Sequence, residues 1–128
     1  MNARLIKVLI VEDSPTQSLL LEEIINSDPR LQVVAVAGSA EKALRVMARV
    51  RPDVVSMDIH LPKMDGYQAT RQIMRDFPVP IVVVSSSVGG KDAEISMNSL
   101  RAGALAACCE RRVSLDGISR LRVNIKTT

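Results

Sequence analysis

Apolar residues along this chain follow two alternating patterns. Short aliphatic runs predict strands buried on both faces, and these runs are residues 7–11, 32–37, 53–57, 81–84 and 105–109. Between the runs, apolar residues recur at spacings of three and four, which is typical of amphipathic helices. Strands that alternate with helices predict an α/β domain with a five-stranded parallel sheet and helices on both faces.

The first helix has the clearest start signal. Ser14 is a favourable N-cap residue, Pro15 suits the first helical position, and Gln17 completes a capping box. Asp28 and Pro29 are predicted to end this helix. Its predicted buried face consists of Leu20, Leu21, Ile24 and Ile25.

Four further helices are predicted. One follows Gly38 and ends before Pro52, and another is capped by Asp65 and ends near Asp76. A helix that carries Ala93, Met97 and Leu100 on one face ends at Gly103, and a short last helix spans 115–125. No internal repeat or linker interrupts the chain, so residues 1–128 are predicted to form a single domain with a short segment after about residue 110.

Acidic residues follow two of the predicted strands. Glu12 and Asp13 come directly after the first strand, and Asp58 follows the third. In the strand order 2-1-3-4-5 these two strands are neighbours, and ligands of such sheets bind where the strand order reverses. Three adjacent carboxylates repel one another and call for a cation, and hard oxygen ligands suit Mg²⁺.

This arrangement predicts a site for phosphoryl transfer. Asp58 is the candidate nucleophile, since a carboxylate can accept a phosphoryl group, and Glu12 and Asp13 would hold the metal. Ser85 ends the fourth strand, where its hydroxyl could bind a phosphoryl oxygen, and the carbonyl of His60 could complete the metal shell. The alternative interpretation of each residue alone is a helix cap or a turn residue.

Composition and charge limit the partners. Aromatic residues make up only 2% of the chain, which disfavours stacking on nucleic-acid bases. The net charge is +3, and the charged residues within 101–128 are six basic and two acidic, which suits an acidic partner, DNA or a solvated face. No helix-turn-helix is found, so direct binding to nucleic acid is not predicted.

The chain has no predicted signal peptide and no apolar run near the roughly 20 residues of a membrane span. Cys108 and Cys109 are adjacent, which makes them a poor disulfide pair. With one histidine and no spaced cysteine pairs, a zinc site is not expected. We therefore predict a cytoplasmic protein without membrane insertion.

Several segments together resemble the response-regulator receiver domain of two-component signalling. They are LIVEDS at 9–14, DVVSMD at 53–58, LPKMDG at 61–66, VSS at 84–86 and AGA at 102–104. The resemblance covers about residues 5–110 and implies a flavodoxin-like, doubly wound sheet. Within receivers, residues 84–86 and EEIIN at 22–26 look most like the regulatory domain of chemotaxis protein-glutamate methylesterase.

The resemblance implies a signalling mechanism. Asp58 would take phosphate from a sensor histidine kinase, with Mg²⁺ held by Glu12, Asp13, Asp58 and the His60 carbonyl, and Ser85 would then move towards the phosphate. The output would be a downstream protein or a C-terminal effector domain. The methylesterase domain is absent from these residues, so the chain is not expected to be an enzyme. Pairing of receivers through their fourth and fifth helices leaves a homodimer open.

Two positions depart from the receiver pattern. Receivers carry a phosphate-contacting lysine at the end of strand five, and this chain has Glu110 there. The usual aromatic residue of strand five is replaced by Ala107. Two functions therefore stay open, a phosphoacceptor receiver and a degenerate receiver that binds proteins without phosphate. A phosphatase of the haloacid dehalogenase type would need an acid two residues after its aspartate, where His60 or Pro15 stands.

Overall fold

The computed structural model describes residues 4–59, 61, 63–85, 103 and 106–109. In these ranges, strands and helices alternate as predicted, with bounds that differ from the predicted ones by at most two residues. The elements are β1 Ile6–Val11, α1 Pro15–Asn26, β2 Leu31–Ala37, α2 Ala40–Val50, β3 Val54–Asp58, α3 Gly66–Asp76, β4 Ile81–Ser85 and β5 Ala106–Cys109. The predicted helix before Gly103 and the one at 115–125 lie outside the described residues. No described helix has the length and apolar character needed to cross a lipid bilayer.

The strands form one parallel sheet in the order β2-β1-β3-β4-β5. This order confirms the prediction that the first and third strands lie next to each other in the sheet. Val11 pairs with Met57, so the last residues of β1 and β3 lie at the same level of the sheet. Asp58 in turn pairs with Val84 of β4.

The sheet separates two aliphatic core layers. Alternate residues of a strand point to opposite faces, so Leu9 and Val11 of β1 pack towards α2 and α3, whereas Val8 and Ile10 pack towards α1. The helical residues buried in the first layer include Ala43, Met47, Ala69 and Ile73, and those in the second are Leu21 and Ile25. Helices therefore cover both faces, as the sequence predicts.

One extra residue interrupts the pairing of β2 with β1. Val8 pairs with Val33 and Leu9 pairs with Ala35, so Val34 has no partner in β1. Such a bulge exchanges the faces to which the following side chains point. Val33 accordingly packs in the α1 layer, and Ala35 packs against the layer of α2 and α3.

The predicted buried face of α1 is partly wrong. Leu21 and Ile25 are buried, but Leu20 is 48% exposed, and the third buried position of the helix is Ser18. Residues 18, 21 and 25 follow the spacing of one narrow helix face, and Leu20 lies beside it. Burial of Ser18 is tolerated because its hydroxyl donates to the carbonyl of Pro15 at 3.0 Å.

Asp53 joins the start of β3 to the N-terminal segment. The strand was predicted to begin at Asp53, but β3 begins one residue later, at Val54. Its carboxylate accepts hydrogen bonds from the Arg4 guanidinium at 2.7 Å and from the Lys7 N–H at 2.8 Å. Its own N–H donates to the Lys7 carbonyl at 2.8 Å. We expect Asp53→Ala to lower the free energy of unfolding by about 1–2 kcal/mol, because the Lys7 N–H loses its acceptor.

Urea denaturation of the two proteins measures this difference. The control is Asp76→Ala, since within the described part of the chain the Asp76 carboxylate bonds only its exposed neighbour Arg75, at 3.4 Å. Exposed ion pairs contribute little, so we expect the control to change the unfolding free energy by no more than about 0.5 kcal/mol. Equal losses in both variants would contradict the structural role of Asp53.

Candidate metal centre at the carboxyl edge of the sheet

Three carboxylates meet where β1 and β3 end. One carboxylate oxygen from each of Glu12, Asp13 and Asp58 lies within 4.8 Å of the other two. The parallel pairing of Val11 with Met57 brings these residues to the same level. The structure therefore brings together the acidic residues that the sequence predicts to be neighbours.

Glu12 is held by backbone contacts on both sides. Its N–H donates to the Ala37 carbonyl of β2 at 3.0 Å, and its Oε2 accepts from the Ser14 N–H at 3.4 Å. Only 4% of the residue is exposed. Glu12 thus extends β1 by one more bond to the sheet, which fixes the position of its carboxylate.

Ser14 starts α1 as predicted, since its hydroxyl accepts from the Gln17 N–H at 3.4 Å. The predicted reciprocal bond from the Gln17 side chain is wrong, because the Ser14 N–H donates to Glu12 instead. Ser14 therefore contacts both the first turn of α1 and the Glu12 carboxylate of the acidic cluster. A movement of the Glu12 carboxylate would therefore also displace Ser14 and the first turn of α1.

Asp58 is the last residue of β3 and is 6% exposed. The chain leaves the strand at Ile59 and returns at the start of α3, where the Gly66 N–H donates to the Ile59 carbonyl at 3.1 Å. Asp65 caps this helix as predicted, accepting from the Gln68 N–H at 2.9 Å. The start of α3 therefore lies against the backbone that carries Asp58.

Gly66 is the site residue that sequence reasoning missed. A Cβ atom at this position would lie 2.5 Å from the Ile59 Cα and 2.9 Å from the Asp58 carbonyl carbon, far inside ordinary contact distance. Both are backbone atoms, so neither can rotate away. The signal in the sequence was a glycine at the first position of a helix, where a residue with a side chain is usually preferred.

The electrostatics of the cluster favour a cation. Glu12 and Asp58 are buried and Asp13 is exposed, so one side of the cluster is open to solvent. Two ionised carboxylates 4.8 Å apart repel by about 3.5 kcal/mol at an effective dielectric constant of about 20, before other charges are counted. Three carboxylate donors are hard oxygen ligands, and this donor set fits Mg²⁺.

The other predicted site residues are placed less fully. Ser85 ends β4 one residue after Val84, the partner of Asp58, so its backbone lies next to the acidic cluster in the sheet. Ala107 lies in β5, where it pairs with Val83. His60 and Glu110 fall outside the described residues. The roles of Ser85, His60 and Glu110 therefore stay predictions.

Comparisons with known proteins agree with one another. A family model described as the response regulator receiver domain matches residues 8–107. Protein-glutamate methylesterase/protein-glutamine glutaminase 1 of Syntrophus aciditrophicus is 50% identical over 102 residues, covering 80% of this chain and 29% of that protein. The corresponding protein 2 of Paramagnetospirillum magneticum is 52% identical over 101 residues, covering 79% of this chain and 29% of that protein.

A solved structure gives the same picture at the level of the fold. The response regulator domain of CheB from Thermotoga maritima superposes with a TM-score of 0.87 at 30% identity, covering 96% of this chain and 98% of that chain. The two curated methylesterases are much longer, and the match covers less than a third of each. The similarity to them therefore concerns one part of those proteins.

Proposed function

The chain belongs to the response regulator receiver domain family, and we propose that it is a phosphoacceptor, taking a phosphoryl group from a sensor histidine kinase onto Asp58. Its sequence groups it with receivers of the CheB type in two-component signalling. The observation that carries the proposal is the meeting of Glu12, Asp13 and Asp58 within 4.8 Å at the edge of the sheet.

In the proposed reaction, an Asp58 carboxylate oxygen attacks phosphorus while the bond from phosphorus to the kinase histidine nitrogen breaks. The product is an acyl phosphate on Asp58, and the bonding electrons leave with the histidine nitrogen. The bond between Gly66 and Ile59 fixes the backbone of this nucleophile. Fixed geometry is the main contribution a protein makes to phosphoryl transfer.

Glu12, Asp13, Asp58 and the His60 carbonyl would hold Mg²⁺. When bound, this ion supplies positive charge that offsets the charge on the phosphoryl oxygens. The exposure of Asp13 leaves an open side for a phosphodonor. The backbone contacts of Glu12 to Ala37 and Ser14 keep its carboxylate oriented without the ion.

The proposed output is a change of binding partner. Ser85 is placed by β4 at the same edge as Asp58, where its hydroxyl would donate to a phosphoryl oxygen. A downstream protein or an effector domain would then read the changed surface, and a homodimer would be one form of that output. We assign no hydrolytic activity to these 128 residues, and we place the protein in the cytoplasm, with partners that are proteins rather than nucleic acid or membrane.

A second candidate is a degenerate receiver that binds its partner without phosphate. Glu110 favours it, because a carboxylate at the position of the usual lysine would repel a phosphoryl group. Ala107 favours it as well, since a methyl group cannot report a conformational change as an aromatic ring does. The two candidates differ in one measurable property, which is covalent phosphate on Asp58.

The mass of the intact protein after incubation with acetyl phosphate tests the proposal. We expect a gain of one phosphoryl group with Mg²⁺ present, and no gain in Asp58→Asn or after chelation of the metal. Asp76→Asn is the matched control and should behave like the unchanged protein, because Asp76 is exposed and ends α3.

No gain in the folded protein with Mg²⁺ would overturn the proposal and favour the phosphate-independent receiver. The variant Glu110→Lys then identifies the cause. Phosphoryl uptake restored by this substitution would show that the carboxylate at 110 is what blocks the reaction.

A further inference from the structure

Helix α2 carries three basic residues on one exposed face. Lys42, Arg45 and Arg49 are spaced three and four apart, which places them on the same side of a helix. All three are exposed, and in the described part of the chain none of them forms an ion pair. We call these three residues the basic stripe.

The basic stripe borders an open groove beside β2. The groove has a volume of about 330 Å³, and its remaining lining is apolar: Val36, Ala37 and Val46. Val36 is 43% exposed, so an apolar residue of β2 is open to solvent beside the groove. The groove thus combines an apolar floor with a positively charged wall.

The floor of the groove belongs to the edge of the sheet. Among the described strands, β2 pairs only with β1. Nearer the start of β2 the edge already has a hydrogen-bond partner, since the Val33 N–H donates to the Asn26 side chain at 3.0 Å. The Ala37 carbonyl points inward and accepts from Glu12. Because successive residues direct their backbone groups to opposite sides of a strand, the N–H and C=O of Val36 point outward into the open edge.

We propose that this groove binds an extended acidic segment of a partner protein. Such a segment would add to the edge at Val36 and set acidic side chains against the basic stripe. The stripe spans about 10 Å of helix axis, at about 1.5 Å per residue. An extended chain places alternate side chains about 6.6 Å apart, so two or three acids at every second position match it.

Other occupants fit less well. A second copy of this chain carries a net charge of +3 and would bring its own basic stripe to the same edge. Single-stranded nucleic acid is usually bound by base stacking on aromatic side chains as well as by basic ones, and the described lining of the groove contains no aromatic residue. A protein segment that alternates acidic and apolar residues can set its acidic side chains against the basic stripe and its apolar side chains against the apolar lining of the groove.

Fluorescence anisotropy with a labelled synthetic peptide of alternating glutamate and valine tests the proposal. We expect binding that weakens as salt is added, because the wall is exposed charge. In the double variant Arg45→Glu with Arg49→Glu, we expect binding to weaken by roughly tenfold or more. A peptide with lysine in place of glutamate should instead bind better to this double variant than to the unchanged protein.

A second double variant serves as the matched control. Arg71→Glu with Arg75→Glu makes the same charge change at the same spacing on α3, also at exposed positions. We expect it to bind the glutamate peptide within about twofold of the unchanged protein, since Arg71 and Arg75 are not among the described residues that line the groove and exposed charges are screened by salt. Thermal unfolding of both double variants checks that they are folded, and Arg45→Gln with Arg49→Gln gives a milder test if the reversal unfolds α2.

Three results would overturn the proposal. The first is an absence of binding by the glutamate peptide, and the second is an equal loss in both double variants, which would indicate general charge attraction. The third is tighter binding of single-stranded oligothymidylate than of the peptide, lost in the α2 variant, which would indicate a nucleic-acid surface. The Asp58→Asn variant should bind the peptide normally, so this proposal can fail or succeed independently of phosphoryl transfer.

Discussion

Replacing Gly66 with alanine is expected to slow phosphoryl uptake by Asp58 by roughly a hundredfold and to lower the free energy of unfolding by about 2–3 kcal/mol. The new methyl group would overlap the backbone of Asp58 and Ile59, at 2.5 Å from the Ile59 Cα. Only movement of the β3 end or of α3 relieves this overlap. Either movement displaces the carboxylate that the reaction depends on.

The control for this variant is another glycine in the same chain. A Cβ added at Gly38 meets no atom within 4 Å, so Gly38→Ala should leave uptake unchanged and should not lower stability by more than about 0.5 kcal/mol. Uptake is measured by the mass of the intact protein over time, and stability by urea denaturation. Unchanged uptake in Gly66→Ala would contradict the role assigned to the contact.

Leu9→Ala is expected to have the largest effect on stability, a loss of about 2–5 kcal/mol. Leu9 is fully buried in β1, between the neighbouring strands β2 and β3, and packs in the layer under α2 and α3. A cavity there weakens β1, the strand that directly precedes Glu12. We therefore expect the variant also to need more Mg²⁺ for half-maximal phosphoryl uptake.

The same substitution at Leu19 is the natural comparison. Leu19 lies on α1 and is 62% exposed, so Leu19→Ala should change the unfolding free energy by no more than about 0.5 kcal/mol. Urea denaturation of both variants gives the two values under identical conditions. A loss of unfolding free energy at Leu9 as small as the one at Leu19 would contradict this expectation. It would show that the core layer of Leu9 closes around the smaller side chain and leaves no cavity.

Much of the fold could be predicted because parallel strands buried on both faces are continuous aliphatic runs. The runs at 7–11 and 81–84 lie within β1 and β4. The buried face of α1 was harder, since five leucine and isoleucine residues are available and packing buries only part of them. Leu20 is exposed while Ser18 is buried, and only the position of the neighbouring sheet decides between them.

The acidic cluster could be predicted from strand order alone, because the carboxyl ends of neighbouring parallel strands share one edge. The close approach of Gly66 to Asp58 could not, since it depends on the path of the loop between Ile59 and Asp65. The groove beside α2 was also not predicted. It lies between α2 and the edge strand β2, and the packing of the two elements is not specified by any pattern in the sequence.

The unpaired Val34 has a consequence for the history of this segment. Ahead of it, β2 contributes side chains to the α1 layer, and beyond it to the layer of α2 and α3. Deletion of this one residue would let β2 pair with β1 in continuous register and would keep Ala35 and Ala37 in the layer of α2 and α3. Evolutionary loss of one residue should therefore be tolerated at Val34 as well as in the turns between β1 and α2. A sequence whose first two strands pair in continuous register aligns with this one only through a one-residue gap there.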